Sequence, residues 1–213
     1  MKTPPSHISI GLPLLTIIGM SALFFWQALA VIHEMEEVRL FIITYYNMII
    51  SLKTLILFGA ILLTGLSAGL FYAWQVSVIP GTRKITDLAY METMQHINRE
   101  ILNLGFMLIF IGSLLMLSFG SLALYQSGGP FWLMLAAALV YLAGTFVVTG
   151  MGNVPLNNEL DALQIEKLTA EELRSFRHYY EAKWNRLHLV RTAFSLLSFM
   201  LSLSILFAPG KIS

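Results

Sequence analysis

The sequence predicts an all-α, polytopic membrane helical bundle, a four-helix core preceded by an extra N-terminal transmembrane helix. Three observations carry this reading. The 213-residue chain is 57% hydrophobic and only 12% charged, whereas soluble domains run near 25% charged. Its 13 basic and 12 acidic residues fall into five places: Lys2, 34–53, 83–100, 159–191 and Lys211. Between these places lie uncharged apolar runs, each about the length that a bilayer crossing needs. The longest runs from Glu100 to Glu159 without one charged residue, enough for two crossings and a tight turn.

Crossings are expected at about 8–31, 54–79, 101–125, 131–151 and 188–208. The chain then divides into residues 1–53, an N-terminal helix with a connecting segment, and 54–213, a four-helix membrane domain. Ala28-Leu-Ala30 mimics a signal-peptide cleavage site, but the apolar run before it exceeds the usual length, so it reads as a retained anchor. Leu40–Leu52 is uncharged yet too short to span; it fits either an interfacial helix or an extension of the second crossing. Gln126-Ser-Gly-Gly-Pro130 reads as the turn between the third and fourth crossings.

Basic residues set the expected orientation. Ten of them, Lys2, Arg83, Lys84, Arg99, Lys167, Arg174, Arg177, Lys183, Arg186 and Arg191, fall on one side; Arg39, Lys53 and Lys211 fall on the other. The positive-inside bias places the N-terminus, 80–100 and 152–190 in the cytoplasm and the C-terminus outside.

Two helices are expected to run beyond the bilayer. Ala170 to Ala208 holds neither Gly nor Pro, and Thr169-Ala-Glu-Glu172 has the form of a capping box. At 1.5 Å per residue such a helix is roughly 58 Å long. Thr82 to Leu104 also lacks Gly and Pro, so the third helix is expected to begin near Thr86. Side by side, these extensions would wall a pocket above the membrane.

Asn153, Asn157 and Asn158 surround Pro155, a residue that ends or kinks a helix and frees carbonyls. Amides at membrane depth are tolerated where they face protein or water, which points to a polar pocket; interfacial asparagines at a helix end read as well. Trp184, His188 and Arg191 occupy i, i+4 and i+7 of the last helix and so share one face, although snorkelling and an aromatic belt account for each separately. Gln95, Asn98 and Asn103, with Met94, form a mixed face able to turn inward. Tyr72 and Trp74 add aromatic walls or interfacial anchors. Glu92, His96 and Glu100 repeat at helical spacing, which serves a metal or, equally, Glu–His pairing on a solvated face; no metal is expected. The acidic cluster His33–Glu37 reads as a solvated loop. Gly59, Gly65 and Gly69 allow close helix packing.

Excluded classes are informative. No cysteine is present, so there is no disulfide, thiolate or iron–sulfur chemistry. Phosphate-binding loops, dinucleotide fingerprints, haem-attachment motifs and the Gly-x-Ser-x-Gly elbow are missing from the sequence. The two charged segments are too balanced in sign for nucleic acid.

Four boxes together resemble the DUF1772 family of small membrane proteins, which includes the fungal anthrone oxygenases. They are Phe71-Tyr-Ala-Trp-Gln-Val-Ser-Val-Ile-Pro-Gly81, Met94-Gln-His-Ile-Asn98 with Ile101-Leu-Asn103, Gly152-Asn-Val-Pro-Leu-Asn157, and Trp184-x-x-x-His188-x-x-Arg191-Thr192. The resemblance spans roughly 54–207, with one departure: the family commonly carries Asn where this chain has His188. It implies oxidation of a flat phenolic anthrone by dioxygen without a bound cofactor. In that chemistry His188 would serve as base and Arg191 would stabilise the developing oxyanion. Tyr72, Trp74, Gln95, Asn98, Asn103, Asn153, Asn157 and Trp184 would bind the substrate. The expected partners are the lipid bilayer and a hydrophobic or aromatic small molecule, with a homo-oligomer compatible. A non-catalytic binding or scaffold protein and, less well, a small transporter stay open. Asn98, Asn153, Asn157, Trp184, His188 and Arg191 are expected to converge on one pocket.

Overall fold

The computed structural model describes residues 26, 27, 29–44 and 52–209. By contacts the chain forms two units, 1–51 and 52–213. In the first, residues 29–44 form a helix (α1) whose side chains are exposed. The cluster His33–Glu37 is therefore helical, not a loop: the stretch holds no Gly or Pro, and Glu, Met, Leu and Arg are good helix formers. Most of the crossing expected at 8–31, and residues 45–51, lie outside the described residues.

The second unit carries four helices long and apolar enough to cross a membrane: Leu52–Thr82, Leu104–Ala123, Gly129–Asp161 and Ala170–Phe207. The first comprises α2 (Leu52–Ala73), a π-helical stretch Trp74–Val78, and α3 (Ile79–Thr82). Next come α4 (Asp87–Glu100) and α5 (Leu104–Ala123). The third span comprises α6 (Gly129–Val140), π-helical stretches Tyr141–Val147 and Thr149–Asn153, and α7 (Val154–Asp161). The last is α8 (Ala170–Ser204), closed by a 3-10 turn at Ile205–Phe207. No strand occurs among the described residues.

These helices form an antiparallel ring. α2 packs on α5 and α8, α5 on α6, and α6 back on α8, the up-down order that short connections favour. Lipid and helix interior are equally apolar, so hydroxyls and small residues supply much of the contact between spans. Ser67 meets the Tyr141 hydroxyl at 2.8 Å, and Tyr141 donates in turn to the Phe110 carbonyl at 3.1 Å. Ser198 on α8 donates to the Ala137 carbonyl on α6 at 2.8 Å. The turn after α5 uses Gln126 and Gly128 at positive φ, and Pro130 opens α6, as expected for that segment.

The third helix does not continue unbroken from Thr86. Thr86 does cap a helix, α4, but that helix ends at Glu100. Asn103 then accepts from the Phe106 N–H at 2.9 Å and caps α5 anew. An asparagine at this position favours a cap over helix interior, so the break needs no glycine or proline. Pro155 likewise does not end its helix. It sits in the first turn of α7, directly after the π-helical stretch Thr149–Asn153, and the span runs on past it to Asp161.

At the charged end, α4, α7 and the first half of α8 build a second core around Tyr90, Met91, Met94, Leu160, Tyr180 and Trp184. The capping box at Thr169 is formed, and α8 runs 35 residues. Arg177, counted in the sequence only among the basic residues, fastens this end. It donates to the Thr82 and Ile85 carbonyls at 3.1 and 2.8 Å, and to Asp87 and Glu181 at 2.9 and 3.1 Å. Two carbonyls at and just beyond the end of α3 thereby gain a charged donor. Its guanidinium also lies 4.5 Å from the Tyr90 ring centroid. Burial first, then Glu181 and Tyr180, raises the Tyr90 hydroxyl above its ordinary range, so this ring stays neutral beside the cation.

Candidate functional site

Where the ring of spans meets the charged end, a cavity of about 80 Å³ opens. Its aromatic wall comes from Phe71 and Trp74 on the first span, Phe106 on α5, and Trp184 on α8. Its polar lining comprises Asn98, Thr149, Asn157, His188 and Arg191. Leu70, Leu102 and Val154 line it too while being 36%, 71% and 40% exposed, so they mark its rim.

The expected stripe on α8 is real. Trp184, His188 and Arg191 are all buried, and the Trp184 and His188 rings stack with centroids 5.0 Å apart and planes 8° from parallel. Arg191 lies between two rings, its guanidinium carbon 4.7 Å from the Phe71 centroid and 4.9 Å from that of Trp184. Such cation–π contacts partly replace the water a buried cation loses. Among the described residues no carboxylate lies within ion-pair distance of it. Its Nε donates to His188 Nδ1 at 3.0 Å, and its terminal Nη atoms meet no acceptor among those residues.

His188 Nε2 lies 3.1 Å from the Phe71 carbonyl. That carbonyl belongs to the turn preceding the π-helical stretch and Pro80. Turns of π-helix within α-helices recur at functional sites. Both ring nitrogens of His188 are thus engaged, and neither is presented free to the cavity.

The asparagines behave differently from one another. Asn157 Oδ1 accepts from Trp184 Nε1 at 2.9 Å and from the Tyr180 hydroxyl at 3.1 Å. An indole N–H only donates, which fixes the Asn157 amide and leaves its Nδ2 without a partner among the described residues. Asn98 donates to the Tyr180 hydroxyl at 3.4 Å and lines the cavity. Asn153 is fully buried behind the wall, donating to the Trp184 carbonyl at 3.3 Å, while its Oδ1 has no partner. It supports the site without lining it.

Besides Asn153, three expected binders do not line the cavity. Tyr72 is 52% exposed, facing away from the bundle. Gln95 donates to the Leu160 and Leu163 carbonyls at 2.8 and 3.1 Å, closing the end of α7. Asn103 is spent on its cap and on the Glu100 carbonyl. Glu92, His96 and Glu100 all lie on the exposed side of α4, and no cluster of three or more metal-ligating side chains occurs among the described residues. Phe71, Phe106 and Thr149 line the cavity but escaped the sequence reading. Phe71 was open to inference, since it and Trp74 sit at i and i+3 beyond the buried stripe Ala60, Thr64, Ser67 and Ala68.

Fold and site together define a multi-pass helical membrane protein with a cationic, aromatic-walled cavity at one end of its bundle. Residues 106–201 match the sequence model of the family described as Anthrone oxygenase, the DUF1772 family. The resemblance read over 54–207 is therefore found over that narrower stretch, which runs from α5 to near the end of α8. The match includes Asn153, Asn157, Trp184, His188 and Arg191; Phe71, Trp74 and Asn98 lie outside it. No curated protein and no solved structure matches the chain.

Proposed function

We propose that the protein oxidises a flat phenolic substrate with dioxygen, in the manner of an anthrone oxygenase, at the cavity formed by Phe71, Trp74, Asn157, Trp184 and Arg191. The observation that carries this is Arg191: a cation buried between two aromatic rings, without a carboxylate, and with Nη donors unused. A buried charge without a partner is costly. An anionic ring system supplies both what the guanidinium lacks and a face for the indoles to stack on. Asn157 Nδ2 adds a second donor. In the reaction the substrate's methylene carbon loses two hydrogens and gains one oxygen as a carbonyl, while the second oxygen atom leaves as water. Stabilising the enolate oxygen is the protein's share of that work, worth about 3 kcal/mol per well-placed donor.

A cavity of about 80 Å³ has room for several waters, at roughly 10–15 Å³ each, and not for three fused rings. Leu102 and Val154 must part for such a ligand to enter. Being apolar and exposed, this rim suits arrival from the lipid. The positive-inside count places this end in the cytoplasm with the C-terminus outside; activity of a C-terminal reporter that works only in the cytoplasm would refute that orientation.

The decisive experiment is oxygen uptake by detergent-purified protein supplied with a hydroxylated anthrone, compared with Arg191→Leu. We expect a loss of roughly 100-fold in rate, following from the 3 kcal/mol above. An equal rate in the variant sinks the proposal. A non-catalytic binding role is the second reading, favoured by Asn153 and Asn157 tying α8 to the third span; binding of the anthrone without oxygen uptake would establish it.

A further inference from the structure

We infer that His188 is a neutral hydrogen-bond bridge that aims Arg191, and that the cavity takes its ligand as a ready-made anion. This rests on the reading of Arg191 as the anion's partner.

The Phe71 carbonyl only accepts, so the hydrogen on the ring resides at Nε2. Arg191 Nε only donates, so Nδ1 holds its lone pair toward the guanidinium. The partners thereby assign the tautomer. The nearby Thr192 hydroxyl does not disturb this assignment, because it donates to the His188 carbonyl at 2.7 Å. The ring is held on its face by Trp184, and Phe71 meets it edge to face at 6.0 Å and 87°. His188 is fully buried.

A general base must offer a lone pair to the substrate. Nδ1 offers its lone pair to Arg191 instead. Protonating it would set a second donor and a second positive charge against the guanidinium. Among the described residues lining the cavity, His188 and Arg191 are the only ionisable ones, so no other described lining group replaces the base. The substrate therefore ionises outside the site, at a phenol O–H or at the methylene C–H of the anthrone. The electron pair comes to rest on oxygen, the proton passes to water, and the cavity captures the phenolate or enolate. Hydrogen-bond logic then predicts which substitution is silent. Asparagine at this position offers one N–H for the Phe71 carbonyl and one C=O for Arg191, the same pair of functions as the Nε2–H tautomer.

The test uses a hydroxyanthraquinone as a probe, because its phenol and phenolate differ in colour. It is titrated at a pH about one unit below its solution pKa into full-length protein and into His188→Asn, His188→Leu and Arg191→Leu. Thermal unfolding of each variant is measured alongside. We expect the phenolate band on binding to wild type and His188→Asn within about threefold in affinity. His188→Leu should bind at least tenfold more weakly, and Arg191→Leu should show no band. If His188→Asn loses the band as completely as His188→Leu while remaining folded, the imidazole itself is needed and the bridge is wrong. If wild type binds the probe only as the neutral phenol, or not at all, capture of a ready-made anion is wrong. An Arg191→Leu protein that keeps the band instead overturns the underlying reading of Arg191, a distinguishable outcome.

Discussion

A methyl group placed on Gly144 would lie 1.9 Å from ring carbons of Phe194 and 2.4 Å from its Cβ. Here α8 approaches the third span as closely as backbone allows, three residues past Arg191. Glycine serves because nothing larger fits, and the opposing Cβ cannot swing aside as a side-chain tip would. Gly144→Ala is expected to destabilise the protein by roughly 1–3 kcal/mol, the usual cost of overpacking. Gly69→Ala, where a Cβ meets nothing within 4 Å, should be neutral or slightly stabilising. Thermal unfolding in one detergent compares them, and equal midpoints for the two variants would contradict the close approach.

Entry past the rim can be checked through the chain's lack of cysteine. Leu102→Cys carries a single reactive thiol at a side chain 71% exposed. Coupling it to a bulky thiol reagent should slow probe association by at least tenfold, with recovery after reduction. The same label at Leu122→Cys, 70% exposed near the far end of α5, should leave association unchanged. Identical association rates for both labelled proteins would place the entrance elsewhere.

Metal dependence gives a third test. Glu92, His96 and Glu100 lie on the exposed side of α4 and do not line the cavity. Glu92→Gln and treatment with a chelator should each leave oxygen uptake within twofold of the untreated protein. A stoichiometric ion in metal analysis, lost together with activity in Glu92→Gln, would reverse this conclusion.

Much of the architecture was legible because it follows from composition and period. Uncharged runs located the four described spans, the capping box at Thr169 began α8, and the i, i+4, i+7 spacing of Trp184, His188 and Arg191 put them on one buried face. What escaped depends on rotation about the helix axis. Tyr72 and Phe71 are neighbours in sequence but about 100° apart around a helix, and the inward one was decided by packing of small residues on α2. Gln95 and Asn98 differ in the same way, one bonding carbonyls at the end of α7 and the other facing the cavity. The break before Asn103 carries no glycine or proline to announce it. The commitment of both His188 nitrogens depends on a carbonyl of another helix, which no one-dimensional pattern contains.

The π-helical stretches bear on which changes of length the site can absorb. A π turn holds one residue more than the α-helical turn it replaces, so losing a residue within Thr149–Asn153 would restore regular winding and leave Asn157 facing Trp184. The same loss in the regular winding of α6 would rotate everything beyond it by about 100° and carry Asn157 off Trp184. The crossing itself would survive either deletion, since this span is 33 residues long. Where a residue is lost, more than whether one is lost, decides if the amide stays fixed.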